Sequence, residues 1–157
     1  MAEEMNVLDV IDVIDVQTVL PHLEATNKAE ALEKMAEALT KAGYLRDAAG
    51  FLKDVYQREQ EGCTGIGGYI AIPHGKSAHV EKIGVAVATI DQEIPWETLD
   101  DNGVRVIVLF AVGDDAASAN EHLKLLAMFA KKLGRETVVE ALLKADTTDD
   151  VMEAFKN

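Results

Sequence analysis

"VRVIVLFAV", residues 104–112, is rich in β-branched side chains and nearly continuous in apolar character. A strand with one face in water alternates apolar and polar residues, whereas a strand covered on both faces does not. "KIGVAVATI" at 82–90 has the same character, and "YIAI" at 69–72 is a further strand candidate. Strands of this kind need helices packed against them.

The flanking segments supply those helices. Ala29, Leu32, Met35, Ala36 and Leu39 recur at helical spacing behind a capping-box-like start at Asn27 and Glu30, and Gly43 ends the helix. A second helix is predicted from Asp47 to Glu61, with Phe51, Leu52 and Val55 inward. A long helix follows the last strand over 114–134, and Leu123, Leu126, Ala127, Ala130 and Leu133 are expected on its buried face. Two shorter helices near 136–144 and 148–155 close the chain, the last capped by Asp146 or Thr147. Helices before, between and after buried strands indicate one layered α/β domain. The repetitive opening "VLDVIDVIDV" fits neither period, so residues 1–15 are expected to be a leader or edge segment and 16–157 the domain.

At 157 residues the chain is long enough to bury a substantial core, and its 48% hydrophobic content is that of a soluble globule. Its 28 acidic side chains against 15 basic ones give a net charge of -13, which repels nucleic acid and anionic membranes and favours a partner with a basic patch. One cysteine, Cys63, excludes an internal disulfide and fits a reducing compartment. The N-terminus lacks the basic region of a signal peptide, and no apolar run approaches the length of a membrane span. A cytoplasmic protein is expected.

The chemistry concentrates in "GIGGYIAIPHGKSAHV", residues 65–80. "HGKS" lacks the upstream glycine of a phosphate-binding P-loop, and "GIGG" lacks the third glycine of a dinucleotide fingerprint, because both positions fall on Ile70. His74 and His79 are five residues apart, about 140° around a helix, which does not suit a shared metal. Pro73 is expected to stop strand pairing and present His74 just beyond a strand end. Gly75 then lets a ligand approach the backbone, and "GKSAHV" is expected to open a helical turn with free N–H groups. The inward stripe of the second helix runs on to Arg58 and Glu59, where an arginine meets a carboxylate or an oxyanion. His122 falls at the margin of the long helix's apolar face.

Each of these has a plainer reading: a turn histidine, an Arg58–Glu59 ion pair, a satisfied core histidine. Together, two histidines and an arginine suit phosphoryl transfer through a neutral imidazole near pH 7. Cys63 is expected to be a small loop or core residue, His22 and His79 surface residues, and Trp96 a loop or packing residue.

"REQEGCTGIGGYIAIPHG", residues 58–75, closely resembles the phosphorylation-site signature of the mannitol/fructose-type enzyme IIA domains of the bacterial sugar phosphotransferase system. The resemblance extends over about 16–155, through "KAEALEKMAEALTKAGY", "PWETLDD", "VRVIVLFAV" and "EHLKLLAMFAKKL". It implies a single-domain mixed β-sheet flanked by helices on both faces. It also implies that His74 accepts a phosphoryl group on Nε2 from the phosphocarrier protein HPr and passes it to a cysteine of an enzyme IIB domain. Arg58 and His122 correspond to the family's site arginine and second histidine, Thr64 and Glu59 match motif positions, and no metal or cofactor is needed. A close-approach surface is expected at Gly65–Gly68. Two alternatives remain open: a regulatory, nitrogen-type paralogue phosphorylated on the same histidine, and a non-catalytic binding module in which His74 is structural.

Overall fold

The computed structural model describes residues 10–157. Among these residues, eleven strands and α-helices carry the fold. They run β1 (Val19–Leu20), α1 (Lys28–Lys41), α2 (Ala48–Glu59), β2 (Gly65–Gly67), β3 (Ile70–Ala71), β4 (His74–Lys76), β5 (Gly84–Ile94), β6 (Val104–Val112), α3 (Ala116–Leu133), α4 (Glu136–Lys144) and α5 (Thr148–Ala154).

The strands form one six-stranded mixed sheet, β1-β5-β6-β3-β2, with β4 also paired to β6. β5 and β6 are antiparallel, as are β2 and β3, while β1 runs parallel to β5, and β3 and β4 run parallel to β6. β6 is central and feeds both faces: Val106, Val108, Phe110 and Val112 point to a core shared with α3–α5, and Ile107, Leu109 and Ala111 point to α1 and α2. That two-sided burial explains its nearly continuous apolar character. The face toward α1 and α2 is lined with small residues, Ala71, Ala86, Ala88 and Ala111, which lets those helices sit close to the sheet.

Helix ends follow their sequence signals. The Asn27 side chain accepts from the Glu30 amide at 2.8 Å, though the Glu30 carboxylate reaches back to Thr26 rather than Asn27. Gly43 takes φ +91° after α1, with Gly43 N bonded to Thr40 O and Tyr44 N to Leu39 O. That is the Schellman pattern, which needs a left-handed residue there. Asp47 caps α2, and Thr147, not Asp146, caps α5 in a full capping box with Asp150.

Three expectations are corrected. On α1, Ala29 is exposed and Ala31 is buried in its place. On α3, the buried stripe is Leu125, Phe129 and Leu133, while Leu123 is 65% exposed and Ala127 and Ala130 also face solvent. Phe129 decides the rotation: it stacks edge-on between Phe110 and Phe155, at centroid distances of 5.3 and 5.7 Å, and burying that ring outweighs burying alanines.

Third, pairing does not stop at Pro73. Ile70 and Ala71 pair with Val106 and Ile107, and His74, Gly75 and Lys76 with Phe110, Ala111 and Val112, in unchanged register. Pro73 lacks a donor, but its carbonyl still accepts from Phe110 N at 3.0 Å, so the ladder skips and resumes. His74 therefore opens a strand, and no helix starts at "GKSAHV". Upstream, Val10 and Ile14 are buried in the α3–α5 core; residues 1–9 of the expected leader lie outside the described residues.

Candidate active site

Among the described residues β4 pairs only with β6, so it forms an edge of the sheet that both helical layers can reach. Side chains alternate along a strand. Gly75 faces α2 beside Ala111, and His74 points to the α3 side beside Phe110. Arg58, on the last turn of α2, reaches round that edge, and His122 comes from α3.

The three side chains meet. His74 Nδ1 lies 3.1 Å from the Ile72 carbonyl. A carbonyl only accepts, so Nδ1 carries the proton and the lone pair sits on Nε2. That lone pair takes a bond from Arg58 Nε–H at 3.1 Å, and Arg58 Nη1 donates to the Gly62 carbonyl at 3.2 Å. Among the described residues no carboxylate pairs with Arg58, because Glu59 is taken by Lys28 at 2.6 Å. The arginine's bonds go to the imidazole and the Gly62 carbonyl.

The His122 ring lies 4.8 Å from the His74 ring, tilted by 56°, and 6.0 Å from Phe110. It continues the buried stripe of α3 one turn beyond Leu125, at the stripe's centre rather than its margin. Its Nε2 is sealed from solvent and has no hydrogen-bond partner among the described residues. Burial first, then the charges of His74, Lys76 and Arg58, push its pKa down to about 4. Burial, with Arg58 adding to it, also holds the His74 pKa below the usual imidazole value, against the raising effect of the Ile72 bond. Both rings are neutral near pH 7, and a neutral imidazole with Nε2 free of its proton is a nucleophile.

A pocket of about 400 Å³ opens over His74, Arg58 and His122, with Lys76, Asp54, Gln57 and Glu61 completing its wall. None of these last four stood out in the sequence. Asp54 lies one turn before Arg58 on α2 and Glu61 lies three residues after it, just past the helix end, so the arginine's face of α2 was the available signal.

The supporting residues fall elsewhere. A Cβ on Gly75 would lie 2.7 Å from both Phe51 Cε1 and Val55 Cγ2; the glycine admits α2, not a ligand. Thr64 and Glu59 are bonded to each other behind the pocket rather than lining it. Within Gly65–Gly68, Gly65 is pressed against Thr98 and the Glu97 carbonyl, while Gly68 faces open space. Gly67, Gly68 and Tyr69 all have positive φ, and Gly68 N is held by Asp100. Cys63 is an exposed loop residue, and Trp96 is buried under the Lys28 ammonium, 4.8 Å from its ring. His79 is half-buried, and His22 is exposed but bonded through both ring nitrogens, to Asp91 and Asp146.

Comparison with known proteins places the chain in a family. The family model described as "Phosphoenolpyruvate-dependent sugar phosphotransferase system, EIIA 2" matches residues 12–157. The fructose-specific EIIA component of Haloferax volcanii is 32% identical over 151 residues, which is 96% of this chain and 97% of that one. A nitrogen regulatory protein of Bradyrhizobium diazoefficiens is 30% identical over 126 residues, 80% of each chain. The chain spans 22% of the Escherichia coli 2-O-alpha-mannosyl-D-glycerate-specific EIIABC component, at 30% identity. Among solved structures, the nitrogen regulatory protein IIA-Ntr of Neisseria meningitidis superposes with a TM-score of 0.83 over 93% of this chain and 98% of its own, at 23% identity. The mannitol enzyme IIA of Escherichia coli, in complex with phosphorylated enzyme IIB, gives 0.75 over 91% and 96% at 25% identity. With residues 12–157 matched, the chain belongs to the EIIA type-2 family of the phosphoenolpyruvate-dependent sugar phosphotransferase system.

Proposed function

We propose that this protein is a phosphoryl carrier in which His74 Nε2 accepts the group from phosphorylated HPr and gives it to a cysteine of an enzyme IIB domain. The observation that carries this reading is the bond from Nδ1 to the Ile72 carbonyl, which leaves the Nε2 lone pair beside Arg58 at the pocket wall. In the forward step the lone pair forms the new N–P bond, and the donor's N–P bond breaks with its electron pair returning to the donor imidazole. The transferring group carries its charge on its equatorial oxygens, so catalysis is placement plus neutralisation. Arg58 gives up its bond to Nε2 and turns the same donors onto those oxygens. His122 offers a buried nitrogen that has no other partner among the described residues. In the return step a thiolate sulfur attacks phosphorus and Nε2 leaves with its electron pair.

The kinship to a nitrogen regulatory protein over 80% of both chains favours a second reading, in which the same phosphohistidine reports to a protein partner instead of a sugar transporter. Phosphorus NMR of protein charged by phosphoenolpyruvate, enzyme I and HPr tests the shared chemistry. An Nε2-phosphohistidine resonance is expected, and an Nδ1 resonance would contradict the tautomer argument. Adding sugar-type IIB then separates the two roles: discharge supports transport, and a retained phosphoryl group supports regulation.

A further inference from the structure

Glu59 ends α2 next to Arg58, and its side chain is only 6% exposed. One carboxylate oxygen holds Lys28 Nζ at 2.6 Å, at the first residue of α1; the other accepts from the Thr64 hydroxyl at 2.5 Å. Lys28 also bonds Glu97 at 2.9 Å. Burial works against the Lys28 charge, but its bonds to Glu59 and Glu97 outweigh that and raise its pKa. A nearly buried ion pair of this kind contributes little net stability over a well-packed apolar pair. What it supplies is direction.

The direction leads to the nucleophile. The Thr64 carbonyl accepts from Ile72 N–H at 2.9 Å, and the Ile72 carbonyl accepts from His74 Nδ1–H at 3.1 Å. From the same loop, the Gly62 carbonyl holds Arg58 Nη1 at 3.2 Å. We infer that Glu59, held by Lys28, is a positioning residue that acts through Thr64 and Ile72 to keep the proton on His74 Nδ1 and the lone pair on Nε2. Glu59 touches neither the transferring group nor the pocket. It fixes the loop that orients both the imidazole and the guanidinium, and its consequence for phosphoryl uptake rests on the carrier reading above.

The test uses Thr64→Val, which keeps shape and removes the hydroxyl, and Thr64→Ser, which keeps the hydroxyl. Nitrogen-15 NMR of the His74 ring reads the tautomer in the free protein, and phosphoryl uptake from phospho-HPr reads its consequence. Thr64→Val should mix the two tautomers and slow uptake about tenfold at saturating donor, with the half-saturating donor concentration unchanged; Thr64→Ser should restore most of both. If Thr64→Val does not fold, Glu59→Gln, which removes the charge that Lys28 and the hydroxyl share, should shift the ring signals in the same sense. A His74 ring that keeps its Nδ1–H tautomer in these variants, with wild-type uptake, overturns the inference. Wild-type protein that takes up no phosphoryl group removes the carrier reading, and the positioning role then stands if Thr64→Val mixes the tautomers and falls if it does not.

Discussion

Replacing Gly75 by alanine tests whether the approach of α2 to β4 sets the geometry of the site. The new Cβ lands 2.7 Å from Phe51 Cε1 and from Val55 Cγ2, where carbon atoms prefer about 3.5–4.0 Å. Phe51 and Val55 are fully buried, so relief comes from moving α2 outward by about 1 Å. Overpacking of this kind costs about 1–3 kcal/mol, which for a chain of this size lowers Tm by roughly 3–10 °C. Arg58 rides on the last turn of α2, so the same movement stretches its 3.1 Å bond to His74 beyond hydrogen-bond range. A misplacement of that size slows transfer by about 10²-fold. Thermal unfolding followed by circular dichroism reads the first effect, and time-resolved phosphoryl uptake reads the second. Adding Val55→Ala should recover part of both, because residues in contact couple. An alanine variant with unchanged Tm and unchanged uptake would refute the packing argument; unchanged Tm with lost uptake would return Gly75 to a ligand-access role.

Acidification should destabilise the fold through His122. Its folded pKa of about 4 lies below the unfolded imidazole value of about 6.5, so its stabilisation is complete above the latter and is lost as pH falls toward the former. The full shift corresponds to about 3.4 kcal/mol, reduced to about 1–2 kcal/mol by partial exposure. His74 acts in the same sense. Urea unfolding across that pH range should show a shallower dependence in His122→Phe, and parallel curves would contradict the burial argument. Arg58→Leu should cut phosphoryl uptake by about 10²-fold, and Arg58→Lys should fail to restore it, because one point charge cannot hold His74, Gly62 and the incoming oxygens together; full rescue by lysine would show that charge alone suffices. On α3, Leu123→Glu should change stability by no more than about 0.5 kcal/mol, whereas Phe129→Ala should cost about 3–5 kcal/mol. The reverse order in denaturant melts would mean that the helix is rotated as the alanine stripe suggested.

Much of this architecture is legible in the chain because local signals and burial agree. β6 matches the apolar run 104–112 residue for residue, and the caps at Asn27, Asp47 and Thr147 lie where side-chain oxygens precede helical spacing. Signals fail where two local patterns compete. α3 carries apolar residues on two sides, and only the Phe110–Phe129–Phe155 packing, contributed by distant elements, selects one. Pro73 reads as a terminator, but a parallel neighbour needs only its carbonyl. The site shows the same division. His74, Arg58 and His122 stand out by residue type and setting, and they do meet. Lys28 has no sequence signal at all, because its link to Glu59 joins the start of one helix to the end of another. Gly75 misleads for a related reason: what fills the space beside it comes from α2.

Intact-mass analysis after incubation with phosphoenolpyruvate, enzyme I and HPr, comparing wild type with His74→Ala, tests the central claim most directly. A single acid-labile, alkali-stable phosphoryl adduct on the wild type, absent from the folded variant, is the predicted result. An adduct that survives in His74→Ala, or none on folded wild type in the presence of active HPr, would contradict the assignment of His74 as the phosphoryl acceptor.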